Sequence, residues 1–185
     1  MQRSDLVTIS KRQLILEAAS AIIMEQGINH LTLELVAQQA GVSKGGLLYH
    51  FANKDELIKG LNEITIKEFR KLVEEAHEET GSYTKAFLLA TLRQIEGKEL
   101  HNASSSMLAA LSTNKEWIKL WDEDYQRFRV EIEKEGISFE VGMIVRLVSD
   151  GFLYSRLFES DPLHLEEEQR VLTYILEWID KEKQQ

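Results

Sequence analysis

The sequence predicts an all-α chain. Its 185 residues contain one proline, Pro162, its ten glycines cluster at the ends of apolar-periodic runs, and strand-like alternation is scarce. Residues 10 to 26 carry Ile15, Ala18, Ala19, Ile22 and Ile23 at i, i+3, i+4, i+7 and i+8 spacing, which predicts an amphipathic helix ended by Gly27. Residues 32 to 39 form a short helix with Thr32 as its cap and Val36, Ala37 and Ala40 as its small, apolar inner face. Gly41 permits the positive φ that stops it. Ser43 caps the next short helix, over 43 to 50, and Asn53 with Glu56 caps a long one from Lys54 to about Glu79. Gly81 and Ser82 interrupt the chain before a helix over 83 to 96. GKELHN reads as a break, and ASSSMLAAL as a short helix or turn-rich piece. A helix over 114 to 135 ends at Gly136. Two more follow, at about 138 to 159 and, after Asp161-Pro162, at 164 to 182.

The run GVSKGGLLYHFANKDEL, residues 41 to 57, carries the functional signal. A short helix, a tight glycine turn and a second short helix form the pattern that sets one helix in the major groove of DNA. Gly45 and Gly46 in the first turn of so short a helix are locally unfavourable, and close approach of the backbone to DNA accounts for their presence. Lys44 supplies charge, and Tyr49 and His50 are polar-tipped groups at the far end. The hydroxyl and amide of Thr32 can face a phosphate. Leu47 and Leu48 are adjacent, so one faces inward and one outward.

The string from Leu31 to Leu57 resembles the DNA-binding segment of the TetR-like bacterial repressors. The resembling residues are Ala18, Ala19 and Gly27, then LTL, then AGVSKGGLLYHF, then Lys54, Glu56 and Leu57. They cover about the first third of the chain. Ala52 stands where the family often has proline, which costs some rigidity in that turn. The resemblance implies a homodimeric, all-helical transcriptional regulator. Its divergent C-terminal domain would bind a small molecule in a cavity between the long connecting helix and the helices that precede the dimerisation pair.

Composition narrows the alternatives. With no cysteine, disulfides and thiolate metal sites are excluded. No apolar run of about 18 residues spans a membrane, and MQRSDLVTIS lacks a signal-peptide core, so the expected location is cytoplasmic. The net charge of −9 is unlike a nucleic-acid binder, but it is unevenly placed. Residues 1 to 60 hold six Lys/Arg and six Asp/Glu, and residues 61 to 185 hold sixteen and twenty-five. The DNA reading therefore rests on the motif rather than on charge. Arg3, Lys11 and Arg12 could form a minor-groove arm, although a solvated terminus explains them as well. Enzymatic signals are weak. The five histidines lie far apart, and HExxH, G-x-S-x-G, P-loop and G-x-G-x-x-G patterns are all missing. No cofactor or metal is expected.

Beyond residue 60 two signals remain. Trp117, Trp121, Tyr125, Phe128 and Ile132 share one helical face, which suits a core or the wall of a ligand pocket. The adjacent Asp122, Glu123 and Asp124 read as water-facing; turned inward, they would make with the rings a cage for an organic cation. The apolar segment VGMIVRLVSDGFLYSRLF and the run VLTYILEWI read as a helix pair able to build a four-helix interface between two chains, with Ile175 and Ile179 facing the partner. An intrachain core is the plain alternative. Arg146, Asp150 and Arg156 interrupt that pair and suit either a cross-interface pairing or a ligand's charge.

The resulting expectation is a helix-turn-helix DNA-binding domain over 1–52 and a helical ligand-binding and dimerisation domain over 53–185. DNA contacts are expected from Thr32, Ser43, Lys44, Gly45, Gly46, Leu47, Tyr49, His50 and Lys54. An apolar or aromatic effector is expected among Phe87, Arg93, His101, Met107, Trp117, Trp121 and Tyr125. The partners are a double-stranded operator, a second copy of the chain and that small molecule, with no membrane. The rival is a helical carrier or enzyme with a vestigial head, for which no catalytic constellation speaks.

Overall fold

A computed structural model describes residues 10–97, 104, 106, 109, 110, 119–157 and 163–183. All regular structure among them is helical: α1 Lys11–Gln26, a 3-10 turn Ile28–His30, α2 Leu33–Gln39, α3 Lys44–His50, α4 Lys54–Thr80, α5 Tyr83–Glu96, α6 Asp122–Lys134, α7 Phe139–Leu157 and α8 Leu165–Glu182. The chain divides into two compact units, Met1–Ile64 with His101–Trp117, and Thr65–Leu100 with Ile118–Gln185. The division falls inside α4. The loop at 52/53, where the pattern of motifs changes, is not the edge of a packed unit.

In the first unit the helix starts are set locally. Ser10 Oγ accepts from the Gln13 amide at 3.2 Å, Thr32 Oγ1 from Leu35 at 3.2 Å, Ser43 Oγ from Gly46 at 3.0 Å, and Asn53 Oδ1 from Glu56 at 2.9 Å. Gly41 stands at φ +66, which joins α2 to α3 without Cβ strain. α2 packs on α1 and on α3. Their apolar faces meet around Ile15, Ile22, Val36, Leu47, Phe51 and Leu61, all buried. Gly60 lets α4 lie close: a Cβ there would come within 2.6 Å of Phe51 Cε1 and 3.3 Å of Leu16 Cδ2.

In the second unit α5 is the central element and packs against α6, α7 and α8. Phe87 holds it to Phe128 of α6, ring centroids 4.5 Å apart, and to Phe69 of α4 at 5.3 Å. The start of α5 is held from far along the chain. Glu135, just past α6, accepts from the backbone amides of Tyr83 and Thr84, from Thr84 Oγ1 at 2.6 Å and from Ser82 Oγ at 3.3 Å, and Lys183 lies 3.3 Å from its other oxygen. Burial alone would raise this carboxyl. The hydrogen bonds from Thr84 and Tyr83 and the Lys183 charge outweigh it and hold it below the ordinary glutamate value. Because the folded value is depressed, its stabilisation is complete above the unfolded value and is lost as pH falls through the folded one. Glu135→Ala orphans two amides at the head of α5. It should cost about 1 to 3 kcal/mol and flatten the acid limb of a pH–stability curve measured by urea unfolding.

Three sequence expectations change here. The helix expected from 114 begins as α-helix only at Asp122, after 3-10 residues Lys119–Trp121, and residues 111–118 lie outside the described set. Three carboxylates in the first turn favour a start at that point, where they face the positive end of the helix. Asp124 is not water-facing. It is buried and takes Arg70 in a two-pronged pair, 2.6 Å to Nε and 3.0 Å to Nη2. Ile175 and Ile179 are buried in the core of their own chain rather than exposed for a partner. No helix among the described residues is long and apolar enough to cross a membrane, and no group of three or more acidic or histidine side chains there could hold a metal ion.

Candidate functional site

The second short helix presents an outer face with exposed Lys44 and Tyr49 at its two ends and reachable backbone at Gly45. Leu47 is fully buried and anchors α3 to the core, so the expectation that it contacts DNA is corrected: no part of its side chain reaches the surface. Leu48 is its exposed neighbour. Tyr49 is 86% exposed, and its ring meets that of His50 edge-on at 5.2 Å. A Cβ on Gly45 would meet nothing within 4 Å, so the fold itself does not demand glycine there. Gly46 differs. Its amide is engaged by Ser43 Oγ, and a Cβ would stand 3.2 Å from that same oxygen.

The polar groups expected to face DNA are placed as follows. Thr32 and Ser43 are exposed, each accepting the capping bond of its helix through an oxygen whose hydroxyl proton remains available to an acceptor. Lys44 pairs with Glu34 of α2 across the turn, and both side chains are well exposed. The hydrogen bond from Lys44 is the main reason the Glu34 carboxyl sits below its ordinary range. Lys54 donates to the Ile28 carbonyl at 3.2 Å, which ties the start of α4 to the turn after α1 and leaves two further donors on its ammonium. The short-range motif contains no hint of Glu34 as a partner for Lys44. Its place in the first turn of α2 is the only local signal.

Of the described residues proposed to line an effector site, Phe87 and Trp121 share one cluster, and Tyr125 and Arg93 are engaged by other partners. His101, Met107 and Trp117 lie outside the described residues. Phe87 is buried between Phe69 and Phe128, and Trp121 packs half-buried on the same cluster, 6.2 Å from Phe69. Tyr125 is covered by Arg146, whose guanidinium carbon lies 3.2 Å from the ring centroid and whose Nε lies 3.5 Å from Asp150. Burial pushes the Tyr125 phenol up, and Arg146 pulls it back. Arg93 is at the surface, paired with Glu79. Arg156 bonds Glu168 at 2.8 Å. Beside Phe87 and Asp124 the structure leaves a cavity of about 10 Å³, and the guanidinium of Arg70 fills the place an organic cation would take.

One side chain on α5 was not singled out by sequence. Gln94 is 2% exposed and its Nε2 has no hydrogen-bond partner. The sequence holds only a weak signal for it: Gln94 lies seven positions after Phe87, on a buried face that Thr84 and Thr91 also interrupt. Leaving such a donor unmade costs about 1 to 3 kcal/mol, so its persistence asks for a reason.

Comparison with known proteins follows the same division. Residues 15–61 match the family described as bacterial regulatory proteins, tetR family, and residues 81–180 match the tetracyclin repressor-like C-terminal domain. YhgD of Bacillus subtilis, an HTH-type transcriptional regulator, is 30% identical over 95 residues, which are 51% of this chain and 50% of that one. The HTH-type transcriptional repressor KstR2 of Mycobacterium tuberculosis is 35% identical over 69 residues, 35% of this chain and 34% of its own. These matches thus span half or less of either relative. In fold, the chain is similar to a TetR-family member, SCO1917 of Streptomyces coelicolor, with a TM-score of 0.69 and 22% identity over 90% of this chain and 98% of the other.

Proposed function

We propose, from the premise that this chain belongs to the tetR family of bacterial regulatory proteins, that it is a sequence-specific DNA-binding transcriptional regulator. In this reading it is a homodimeric repressor in the cytoplasm, released from its operator by a small molecule, and it carries no enzymatic activity. The observation that supports it most directly is the outer face of α3. There Lys44, Gly45 and Tyr49 stand in solvent above a buried Leu47, at the end of a turn that Gly41 and Ser43 define. A seven-residue helix with bare backbone in its first turn can enter a major groove closely, and the tyrosine and lysine at its two ends can reach base edge or phosphate. Thr32, Ser43, Gly46, His50 and Lys54 complete the proposed DNA surface.

Two copies related by a two-fold axis would read a near-palindromic operator. The exposed apolar residues Ile144, Leu147 and Tyr154 of α7 and Tyr174 of α8 support a dimer built on that pair of helices. Effector release then requires that the small molecule bind the non-operator conformation more tightly than the operator-bound one.

A gel shift with the DNA flanking the chain's own gene, repeated over a range of salt, tests the reading. Specific binding that weakens steeply with salt supports it. Binding indifferent to DNA sequence would favour a carrier with a vestigial head. Tyr49→Ala should weaken operator binding by roughly 1 to 3 kcal/mol if Tyr49 contacts DNA directly, with helix content and dimer mass unchanged. Wild-type affinity in that variant would remove Tyr49 from the interface.

A further inference from the structure

We propose that Gln94 is the hydrogen-bond donor by which this chain recognises its effector, and that the effector is a neutral, largely apolar molecule carrying an acceptor oxygen. The inference rests on the reading of the chain as an effector-responsive regulator and names the chemistry of that effector. The side chain is buried on α5, and its Nε2 has two protons to give and gives neither. A group able to satisfy it must therefore be an acceptor. Ala90, one turn back, and Ile95, the next residue, are buried with it, and two turns back Phe87 packs against Phe69, so the buried side of α5 that Gln94 shares is largely apolar. Thr91, between Gln94 and Phe87, gives its hydroxyl proton to the Phe87 carbonyl at 3.0 Å and adds no donor. The two cations of α5 are committed to carboxylates, Lys85 to Asp180 and Arg93 to Glu79. Nothing on that helix is left to neutralise an anion. One unpartnered neutral donor on a largely apolar buried face matches a ketone, ether or ester oxygen on an apolar frame.

The test uses two molecules of the same shape, acetophenone and α-methylstyrene, in which a carbonyl oxygen is exchanged for a methylene group, with benzoate as the charged arm. Binding to the full-length protein is followed by titration of tryptophan fluorescence and by ligand-observed NMR. Gln94→Leu should weaken acetophenone about tenfold, the ratio that a net hydrogen bond of about 1.4 kcal/mol gives, and leave α-methylstyrene unchanged or tighter. Taking the difference between the probes removes any general effect of the substitution on the site. Gln94→Met, which fills similar space without a donor, should reproduce the loss for acetophenone. The free Gln94→Leu protein should melt higher than wild type, because the unmade donor is gone; a purely structural glutamine would make it melt lower. An equal change for both probes, failure of either neutral probe to bind, or tighter binding of benzoate than of acetophenone overturns the proposal. The operator gel shift on Gln94→Leu separates this from the wider reading: retained DNA binding with no probe discrimination sinks the effector assignment alone.

Discussion

Gly60→Val should lower the stability of the first unit by about 3 kcal/mol, a shift of roughly 12 to 24 °C in its melting temperature, and take operator binding with it. A Cβ at this position would meet Phe51 Cε1 at 2.6 Å, and the two methyl groups of valine need still more room. Phe51 cannot yield cheaply. It is buried, its amide bonds the Leu47 carbonyl at 2.9 Å, and its ring lies under the Arg12 guanidinium at 5.2 Å. Pushing it aside disturbs the end of α3 directly. Circular dichroism melts beside a gel shift check the pair of effects. Gly45→Val is the informative contrast, because open space surrounds that glycine. It should leave the melting curve near wild type and still abolish operator binding, since its bulk would stand between α3 and the DNA. A Gly45→Val protein that binds DNA normally would show that α3 does not approach through its first turn.

The second large effect concerns assembly. Leu147→Glu combined with Tyr174→Glu should yield a folded monomer whose operator affinity falls at least about a hundredfold, because one head then binds without its twin. Both side chains are 68% exposed, so charging them leaves the chain's own core intact. On α7 the exposed Ile144, Leu147, Gly151 and Tyr154 lie along one face, and on α8 Tyr174 stands over Trp178 with ring centroids 6.4 Å apart. A dimer covering these faces would bury on the order of 2,000 Å². Light scattering reads the mass and circular dichroism the fold; a dimer of unchanged mass would place the interface elsewhere. Ile175→Glu and Ile179→Glu, which the periodicity of the last helix invites, test something else. Both residues lie in the core of their own chain, and a charge there unfolds it whatever the oligomer.

That difference shows where sequence is legible. Helix starts were readable because their cause is local: Ser10, Thr32, Ser43 and Asn53 each close a bond within three residues. Periodicity likewise finds an inward face, which is why Phe128 and Ile132 could be placed on one. It does not say what covers that face. A core, a ligand and a second chain impose the same spacing, so periodicity alone does not sort Ile175, Ile179 and the stripe from Trp121 to Ile132. The pairings that matter most in the second unit are remote: Arg70 with Asp124, and Glu135 with the head of α5, each join residues more than fifty positions apart. No window of sequence contains both partners. Gln94 does not stand out in the sequence, because Thr84 and Thr91 interrupt the same face; only its missing partner distinguishes it.

The Glu34–Lys44 pair changes how the salt dependence of an operator complex would be counted. A lysine that neutralises a phosphate releases a condensed cation from DNA and adds about 0.9 to the slope of log K against log salt. Lys44, however, already holds a carboxylate of its own chain. When it turns to a phosphate, that exposed pairing is given up at little cost, and Glu34 stays behind as a lone carboxylate close to the DNA backbone. The lysine's contact still releases its cation, but the carboxylate sets a repulsion against the complex that salt screens. Glu34→Gln should therefore tighten operator binding most at low salt, and the gain should fade as salt rises.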